Sequence, residues 1–314
     1  MEGFCVKLAF LYAGQGAQHV GMGQDLYAQY PAFRQILDNA PVDFDLKKLS
    51  FEGPEEQLND TRYTQPCMVA FAAGVTAILK DAGITPDYTA GLSLGEYSAL
   101  HCAGVLDAET AISLVAFRGE AMAKAVTGRP SGMAAVLNLD RDTLSQVCQQ
   151  ASDAGVVEIT NYNCPGQLVI SGDAAAVEKA SELAKEAGAK RVLPLKVSGP
   201  FHTSLMAPAG DALRERFTTV TFHDMEIPVL FNCLGDLKGE TDTIPALLER
   251  QVQSSVYLED TICRLAELGV DTVVEIGPGR ALSGFVRKTA KEIKCYPVET
   301  VEELTAAIAA LKGE

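Results

Sequence analysis

The sequence has no pair of cysteines at the C-x-x-C spacing, although it contains eight cysteines among 314 residues. Several of them, such as Cys67, Cys102 and Cys263, lie within apolar runs. Small buried thiols in a reducing compartment have this distribution, whereas a disulfide framework or a zinc site does not. No apolar run is long enough to span a membrane. These absences predict a globular cytoplasmic protein with no metal site and no membrane association.

Basic residues are also scarce: 26 Lys and Arg stand against 41 Asp and Glu, which gives a net charge of −15. Nucleic acid is therefore not an expected partner. One local cluster of basic residues stands out near the C-terminus, formed by Arg280, Arg287, Lys288, Lys291 and Lys294. This cluster is either a solvated helix face or a docking surface for an acidic partner.

The order of the predicted elements favours an α/β fold with a parallel sheet covered on both faces. Short apolar strands alternate with helices, among them a long apolar helix predicted over Gln65 to Asp81. After Gly128 the pattern becomes β-α-β-β-α-β, the order of a ferredoxin-like split βαβ unit. We therefore predict a large domain formed by 1–127 and 198–314, and a small inserted domain formed by 128–197.

A G-x-S-x-G motif, Gly91-Leu-Ser-Leu-Gly95, lies between a predicted strand and a predicted helix. This is the expected setting of a nucleophile elbow, in which a strained turn exposes the serine and the helix N-terminus favours negative charge. Ser93 is thus a candidate nucleophile. The alternative is an ordinary βα turn in which Ser93 only caps the helix.

An activated serine needs a base within hydrogen-bond reach, and the chain has four histidines. His101 is excluded as a direct partner, since eight residues along the same helix amount to about 12 Å. His19 and His223 could both be surface residues. His202 is favoured because it follows the predicted inserted domain, where a cleft is expected.

Acyl transfer also requires donors for an oxyanion. The N–H of Leu94, directly after the candidate nucleophile, is one expected donor, and the glycine-flanked loop at Gln15 could supply the second. Arg118 lies in an otherwise apolar helical segment. Such an arginine has either an internal carboxylate partner or a substrate carboxylate.

Six motifs in this order resemble those of the malonyl-CoA:acyl-carrier-protein transacylases, and together they span nearly the whole chain. They are Tyr12-Ala-Gly-Gln-Gly-Ala-Gln18, Gly91-Leu-Ser-Leu-Gly-Glu-Tyr97, Phe117-Arg-Gly-Glu120, Asn161-Tyr-Asn-Cys-Pro-Gly-Gln167, Gly199-Pro-Phe-His202 and Glu275-Ile-Gly-Pro-Gly279. The resemblance implies an α/β-hydrolase-like domain with a ferredoxin-like insertion. This sequence departs from the family pattern at three places: Leu92, Tyr12-Ala13 and Tyr257.

The resemblance also implies a ping-pong transfer of malonyl from malonyl-CoA to acyl carrier protein in type II fatty acid synthesis. Ser93 would be the nucleophile and His202 the base. The N–H groups of Gln15 and Leu94 would hold the oxyanion, and Arg118 would bind the malonyl carboxylate. No cofactor is implied.

Three further residues receive roles from the same resemblance. The backbone carbonyl of Tyr257 would orient His202, Phe201 would crowd an α-methyl branch, and Asn163 would join Tyr257 in binding substrate. The acidic carrier would dock on the basic cluster, and the protein is expected to be a monomer.

Three other functions are consistent with parts of the pattern. A stand-alone acyltransferase of a polyketide pathway could carry the same motifs. An α/β-hydrolase would transfer the acyl group to water. A catalytically silent binding or scaffold protein of the same fold would transfer no acyl group. The presence of Ser93, His202 and Arg118 together favours the transferase.

Overall fold

The computed structural model describes residues 6–195 and 199–313. Its strands are β1 Leu8–Tyr12, β2 Tyr88–Gly91, β3 Ser131–Leu137, β4 Val157–Cys164, β5 Gln167–Asp173, β6 Arg191–Pro194, β7 Leu230–Phe231, β8 Asp236–Leu237, β9 Val256–Tyr257, β10 Thr272–Ile276 and β11 Lys294–Val298. Its helices are α1 Gln24–Gln29, α2 Pro31–Asp38, α3 Leu46–Glu52, α4 Glu55–Leu58, α5 Thr61–Asp81, α6 Gly95–Cys102, α7 Ala108–Ala125, α8 Arg141–Ala151, α9 Ala174–Glu186, α10 Ala207–Phe217, α11 Ile244–Val252, α12 Leu258–Glu267, α13 Ala281–Thr289 and α14 Val301–Lys312.

The chain divides into two compact units. The first comprises Met1–Gly119, Thr221–Phe231 and Ile262–Glu314, and the second comprises Glu120–Val220 and Asn232–Thr261. The domain limits predicted from the sequence, 1–127 with 198–314 and 128–197, stay a prediction. Residues 197 and 198 lie outside the described part of the chain.

The first unit is built on a parallel four-stranded sheet in the order β11-β10-β1-β2, so the predicted parallel α/β sheet is confirmed. The last residues of these strands are in register: Tyr12 pairs with both Gly91 and Ile276, and Ile276 pairs with Val298. The loops that follow the four strands therefore emerge at one edge of the sheet. Ligand sites of open α/β sheets form at this edge.

Helix α5 begins four residues before the predicted start at Gln65. The Asp60 side chain accepts a hydrogen bond from the Arg62 N–H at 3.0 Å and caps the helix. Thr61, Thr64 and Gln65 are buried despite being polar. The apolar periodicity did not indicate this first turn, because its inward-facing residues are polar.

The second unit contains a five-stranded sheet in the order β6-β3-β5-β4-β9. The pairs β3–β5, β3–β6 and β4–β5 are antiparallel, whereas β4 and β9 are parallel. One buried core cluster packs the sheet against α8 and α9; its largest members include Leu144, Val147, Ile159, Leu168 and Ile170. The predicted order β-α-β-β-α-β is present as β3-α8-β4-β5-α9-β6.

Several element bounds differ from the sequence prediction. The sequence predicts the last strand of the β-α-β-β-α-β unit over 191–197. In the structure this strand is β6, Arg191–Pro194, and 196 and 197 lie outside the described residues. The sequence also predicts a helix over 257–268, whereas Tyr257 ends strand β9 and helix α12 begins at Leu258. Among the described residues, no helix is long and apolar enough to cross a membrane, and the seven cysteines there are free thiols.

Candidate active site

Ser93 lies in the tight turn between β2 and α6, as the elbow motif predicted. Its φ is 53°, in the left-handed region that non-glycine residues seldom adopt. Leu94, the next residue, has helical dihedral angles and precedes the first residue of α6. The serine is half-buried, and the N-terminus of α6 adjoins it, which favours negative charge at this position.

The two glycines of the elbow allow backbone segments to approach closely. A Cβ at Gly91 would overlap the backbone of Gly95, and a Cβ at Gly95 would overlap the carbonyl oxygen of Tyr12. The N–H of Leu92 also donates to the Tyr12 carbonyl at 3.0 Å. The turn that carries Ser93 is therefore packed directly against the end of β1.

The loop that follows β1 carries Gln15, one of the predicted oxyanion donors, and lies against the elbow. A Cβ at Gly14 would be 2.5 Å from the Leu92 carbonyl oxygen, so the loop backbone contacts the residue just before the serine. Within the loop the Gly16 N–H donates to Gln18 Oε1 at 2.7 Å, and Gln18 Nε2 donates to Asn59 Oδ1 at 2.8 Å. Gln15 and the elbow thus belong to one contiguous backbone arrangement.

Arg118 projects from α7 beside the candidate nucleophile and is only 1% exposed. Its Nη2 donates to Ser93 Oγ at 3.3 Å, and its guanidinium carbon lies 5.4 Å from the centre of the Tyr97 ring. Burial lowers the pKa of this guanidinium, and the nearby Tyr97 and Glu96 oppose the shift. An arginine stays charged under such a shift, so the site holds a positive charge.

A chain of hydrogen bonds runs from Arg118 to the Gln15 loop. Arg118 Nη1 donates to Gln65 Oε1 at 2.9 Å, and Gln65 Nε2 donates to Thr61 Oγ1 at 2.8 Å. The Thr61 hydroxyl donates to Gln15 Oε1 at 2.8 Å. The sequence prediction missed Thr61 and Gln65. The one sequence feature that could have indicated them is the i, i+4 spacing of two polar residues at the start of an apolar helix.

Gly119, which follows Arg118 in the Phe117-Arg-Gly-Glu120 motif, explains how α7 reaches α5. A Cβ on Gly119 would lie 2.7 Å from the Thr61 carbonyl oxygen and 3.0 Å from the Arg62 Cα. The glycine lets the two helices pack with their backbones nearly in contact. Arg118 can therefore reach Gln65, near the start of α5.

His202 belongs to the second unit, where it is 4% exposed and has a φ of 61°. Its turn is restrained on both sides: the Thr203 hydroxyl donates to the Pro200 carbonyl at 2.6 Å, and the Ser204 N–H donates to the Glu158 carboxylate at 3.1 Å. The strained backbone of His202 is thus held by neighbouring hydrogen bonds.

The carbonyl that orients His202 is that of Gln251, so the prediction that the Tyr257 carbonyl orients it was wrong. The predicted part of Tyr257 in substrate binding stays a prediction. His202 Nδ1 lies 2.9 Å from the Gln251 carbonyl oxygen, whereas the Tyr257 carbonyl accepts from the Thr261 hydroxyl. Gln251 lies in the last turn of α11, where carbonyls lack a partner within the helix. Because a carbonyl only accepts, Nδ1 carries a proton, and in the neutral ring Nε2 then holds the lone pair that a base needs.

The remaining predicted site residues also lie in the second unit. Phe201 and Asn163 are each 7% exposed, and Asn163 lies in β4 near its C-terminal end. Tyr257 stacks on Tyr162 with ring centroids 4.9 Å apart, and Arg141 covers Tyr162 with its guanidinium carbon 4.7 Å from the ring centre. Tyr257 is therefore engaged in packing within this unit.

The other histidines have positions distinct from the candidate site. His101 is largely enclosed and bonds the Leu106 carbonyl through Nδ1 at 3.0 Å, and burial lowers its pKa. His223 is exposed. His19 is exposed but pairs with Glu299 through Nε2, and Glu299 also accepts from the Gly279 N–H at 2.8 Å.

The predicted basic cluster lies in and around α13. Arg280 pairs with Glu303 at 2.5 Å, which neutralises its charge locally. Arg287 and Lys288 occupy the last turn of α13, and all five members of the cluster are exposed. Arg287 also donates from Nε to the Ser283 carbonyl at 3.2 Å. In the described part of the chain, no group of acidic, histidine and cysteine side chains is arranged to hold a metal ion.

Comparisons with known proteins agree on one family. The family model described as the acyl transferase domain matches residues 9–308. A curated relative from Bacillus subtilis, a malonyl CoA-acyl carrier protein transacylase, is 45% identical over 98% of each chain. A transacylase of the same name from Clostridium perfringens, known from a crystal structure, is 38% identical in sequence to this chain. The two structures superpose with a TM-score of 0.94 over 98% of each chain.

A third relative was solved with a partner. It is described as a malonyl-transacylase in complex with its type II PKS acyl-carrier protein, and it is 37% identical to this chain. Its TM-score is 0.93, covering 98% of this chain and 100% of the other.

The His19–Glu299 pair predicts a pH-dependent stability. Hydrogen bonding to Glu299 raises the pKa of His19 above its usual 6.5. The pair therefore stabilises the fold fully below the unfolded pKa of about 6.5, and this stabilisation is lost as the pH rises through the folded value. We expect His19→Ala to lower the free energy of unfolding more at pH 6 than at pH 9, as measured by urea denaturation.

The control is His223→Ala, which removes another exposed imidazole of the same unit. A stability loss in His19→Ala that is equal at both pH values would show that the pair contributes nothing through its charge.

Proposed function

The chain belongs to the family of malonyl CoA-acyl carrier protein transacylases, and from this premise we propose that it transfers malonyl from malonyl-CoA to the phosphopantetheine thiol of an acyl carrier protein. It is an acyltransferase. The observation that carries the proposal is the buried Arg118 guanidinium, 3.3 Å from Ser93 Oγ. A fixed positive charge beside the nucleophile favours an acyl group that bears its own carboxylate.

In the first half-reaction, Ser93 Oγ attacks the thioester carbonyl carbon while His202 Nε2 takes the hydroxyl proton. The N–H groups of Gln15 and Leu94 stabilise the oxyanion. The intermediate collapses to malonyl-Ser93, and the CoA thiolate leaves with the proton from His202. The Gln251 carbonyl supports this role, since it keeps the proton on Nδ1 and leaves Nε2 able to accept.

The second half-reaction repeats these steps with another thiol. His202 takes the proton of the carrier's phosphopantetheine thiol, and the sulfur attacks the carbonyl of malonyl-Ser93. The oxyanion forms again, the bond to Ser93 Oγ breaks, and His202 returns the proton to that oxygen. Malonyl leaves as the carrier thioester, so a ping-pong cycle needs no dissociable cofactor.

Arg118 is assigned as the clamp for the malonyl carboxylate throughout both half-reactions. A planar guanidinium can bind a carboxylate through two parallel hydrogen bonds, which also fixes the orientation of the acyl group. We further propose that Phe201 crowds an α-methyl branch and that Asn163 contributes to substrate binding. Pocket contacts with a single methyl group supply about 1–3 kcal/mol of discrimination.

We infer an α/β-hydrolase-like architecture for the large domain and a ferredoxin-like one for the insertion. The strand order β6-β3-β5-β4 supports the second inference, because a split βαβ unit places its four strands in that order. The strand–turn–helix setting of Ser93 supports the first. We also propose that the protein acts in the cytoplasm, which the free thiols support.

The proposed carrier is the acyl carrier protein of type II fatty acid synthesis. A polyketide carrier is the second candidate, since one relative was solved with a type II PKS acyl-carrier protein. Transfer rates to purified holo-carriers of both kinds distinguish them.

A covalent intermediate is the first expected outcome. Incubation with malonyl-CoA should add one malonyl group, detected by intact mass and mapped to Ser93 by peptide analysis. Holo-acyl carrier protein should then remove it, and Ser93→Ala should not acquire it. Loss of the group to water in the absence of carrier would favour a hydrolase, and no adduct in the wild-type protein would contradict the proposal.

The carboxylate clamp predicts a change of substrate preference. Arg118→Ala should lower kcat/KM for malonyl-CoA by about one-hundredfold, as expected for two lost charge-assisted hydrogen bonds, and should raise the relative use of acetyl-CoA. Arg118→Lys, which keeps the charge but not the planar fork, serves as the comparison. An unchanged malonyl-to-acetyl ratio in folded Arg118→Ala would remove the clamp from the mechanism.

The basic cluster is proposed as the docking surface for the acidic carrier, with Arg287 and Lys288 at its centre. The double charge reversal Arg287→Glu/Lys288→Glu should raise KM for the carrier and leave acylation by malonyl-CoA unchanged. Lys185→Glu/Lys190→Glu makes the same change of net charge on α9 and beyond, at exposed positions of the second unit. Equal effects of the two double variants would reject a local docking surface.

A further inference from the structure

The buried hydrogen bonds between Arg118 and Gln15 join two parts of the proposed mechanism. We propose that Thr61 and Gln65 are positioning residues, and that Thr61 holds the oxyanion loop at Gln15 in its working position. This inference rests on the proposed function, because it takes Gln15 as an oxyanion donor.

The guanidinium of Arg118 sets the direction of each hydrogen bond in the series from Arg118 through Gln65 and Thr61 to Gln15. Arg118 has only donors, so Gln65 must turn its amide oxygen towards it and its NH₂ towards Thr61. The Thr61 hydroxyl accepts from that NH₂ and has one proton left to give. That proton goes to Gln15 Oε1 at 2.8 Å. The amide orientations of Gln65 and Gln15 therefore follow from the charge of Arg118.

The surroundings of the chain make each of these bonds consequential. Thr61 and Arg118 are each 1% exposed and Gln65 is 0% exposed. In a buried environment hydrogen bonds in series polarise one another, and a polar group that loses its partner keeps its desolvation cost. Water cannot easily replace the Thr61 hydroxyl, so removal of this single group breaks the connection.

The Gln15 loop needs an anchor of this kind. It contains Gly14 and Gly16, and Gly16 has a φ of 104°. Glycines permit the close approach to Leu92, but they also leave the loop backbone with little stiffness of its own. The side chain of Gln15, bonded to a helix, limits where its N–H can point. An oxyanion donor displaced by a fraction of an ångström loses much of its effect on the transition state.

The test compares Thr61→Val, which removes the hydroxyl and keeps the β-branched shape, with Thr61→Ser, which keeps the hydroxyl. Gln15→Ala removes the anchored side chain but retains the backbone N–H. Thr64→Val is the matched control, because Thr64 is a buried threonine of the same helical turn whose hydroxyl bonds the Leu58 carbonyl. All variants are assayed as full-length protein for malonyl transfer to holo-carrier.

We expect Thr61→Val and Gln15→Ala each to lower kcat about tenfold with little change in KM, because the lost interaction acts in the transition state. Thr61→Ser should retain most of the activity. The double variant Thr61→Val/Gln15→Ala should be no slower than either single variant, because each of the two substitutions removes the same hydrogen bond. A general loss of packing would not produce this non-additivity.

Three results would overturn the inference: wild-type kcat in Thr61→Val, a double variant about one-hundredfold slower than wild type, or an equal loss of kcat in Thr64→Val.

A second probe keeps the inference separate from the proposed function. An uncharged phosphonofluoridate reacts with an activated serine: Ser93 Oγ forms the P–O bond, fluoride leaves and the base takes the proton.

Phosphonylation of Ser93 uses the oxyanion donors but neither malonyl nor a carrier. If wild-type protein transfers no malonyl yet reacts with this probe about tenfold faster than Thr61→Val, the proposed function fails and the positioning role stands. If malonyl is transferred and Thr61→Val reacts with the probe at the wild-type rate, the positioning role fails alone.

Discussion

The close approach of two backbone segments, where β1 and β2 end side by side, governs the candidate active site. The carbonyl of Tyr12 accepts from Leu92 N–H at 3.0 Å and lies where a side chain on Gly95 would have to be. This contact holds the strained turn of Ser93 against the loop of Gln15. The proposed oxyanion donors must be aligned with Ser93 before substrate arrives. The end of the sheet brings the two backbone segments together, and the hydrogen bond from Thr61 to Gln15 adds a side-chain restraint.

Charge is the second organising element. The chain carries a net charge of −15, yet the side chain buried beside Ser93 is an arginine. Burial of a charge is costly, so the neighbours of Arg118 must stabilise it. Gln65 does this directly, and the Tyr97 ring and Glu96 contribute electrostatically. The same arrangement suits the guanidinium to the anionic acyl group that we propose it binds.

Much of this arrangement was predictable because short-range sequence patterns determine it. The elbow at Ser93, the parallel sheet and strand β10 follow from glycine spacing and apolar runs. The Gln251 carbonyl was not predictable, since any residue in the last turn of α11 presents a carbonyl of identical chemistry. Thr61 and Gln65 were missed for a related reason: their role depends on which helix crosses α5, and no local pattern encodes that crossing.

Gly119 contributes no atom to any proposed chemical step, yet it sets the distance between α7 and the first turn of α5. A methyl group there would separate the helices and withdraw Arg118 from Gln65. Arg118 and Gly119 therefore act together: Arg118 supplies the charge, and Gly119 allows the close approach of α7 to α5 through which Arg118 reaches Gln65. Attempts to change the acyl selectivity that we propose for Arg118 will be limited by this spacing. A shorter or longer side chain at 118 would call for a different separation of the two helices, and the absence of a side chain at Gly119 helps to set that separation.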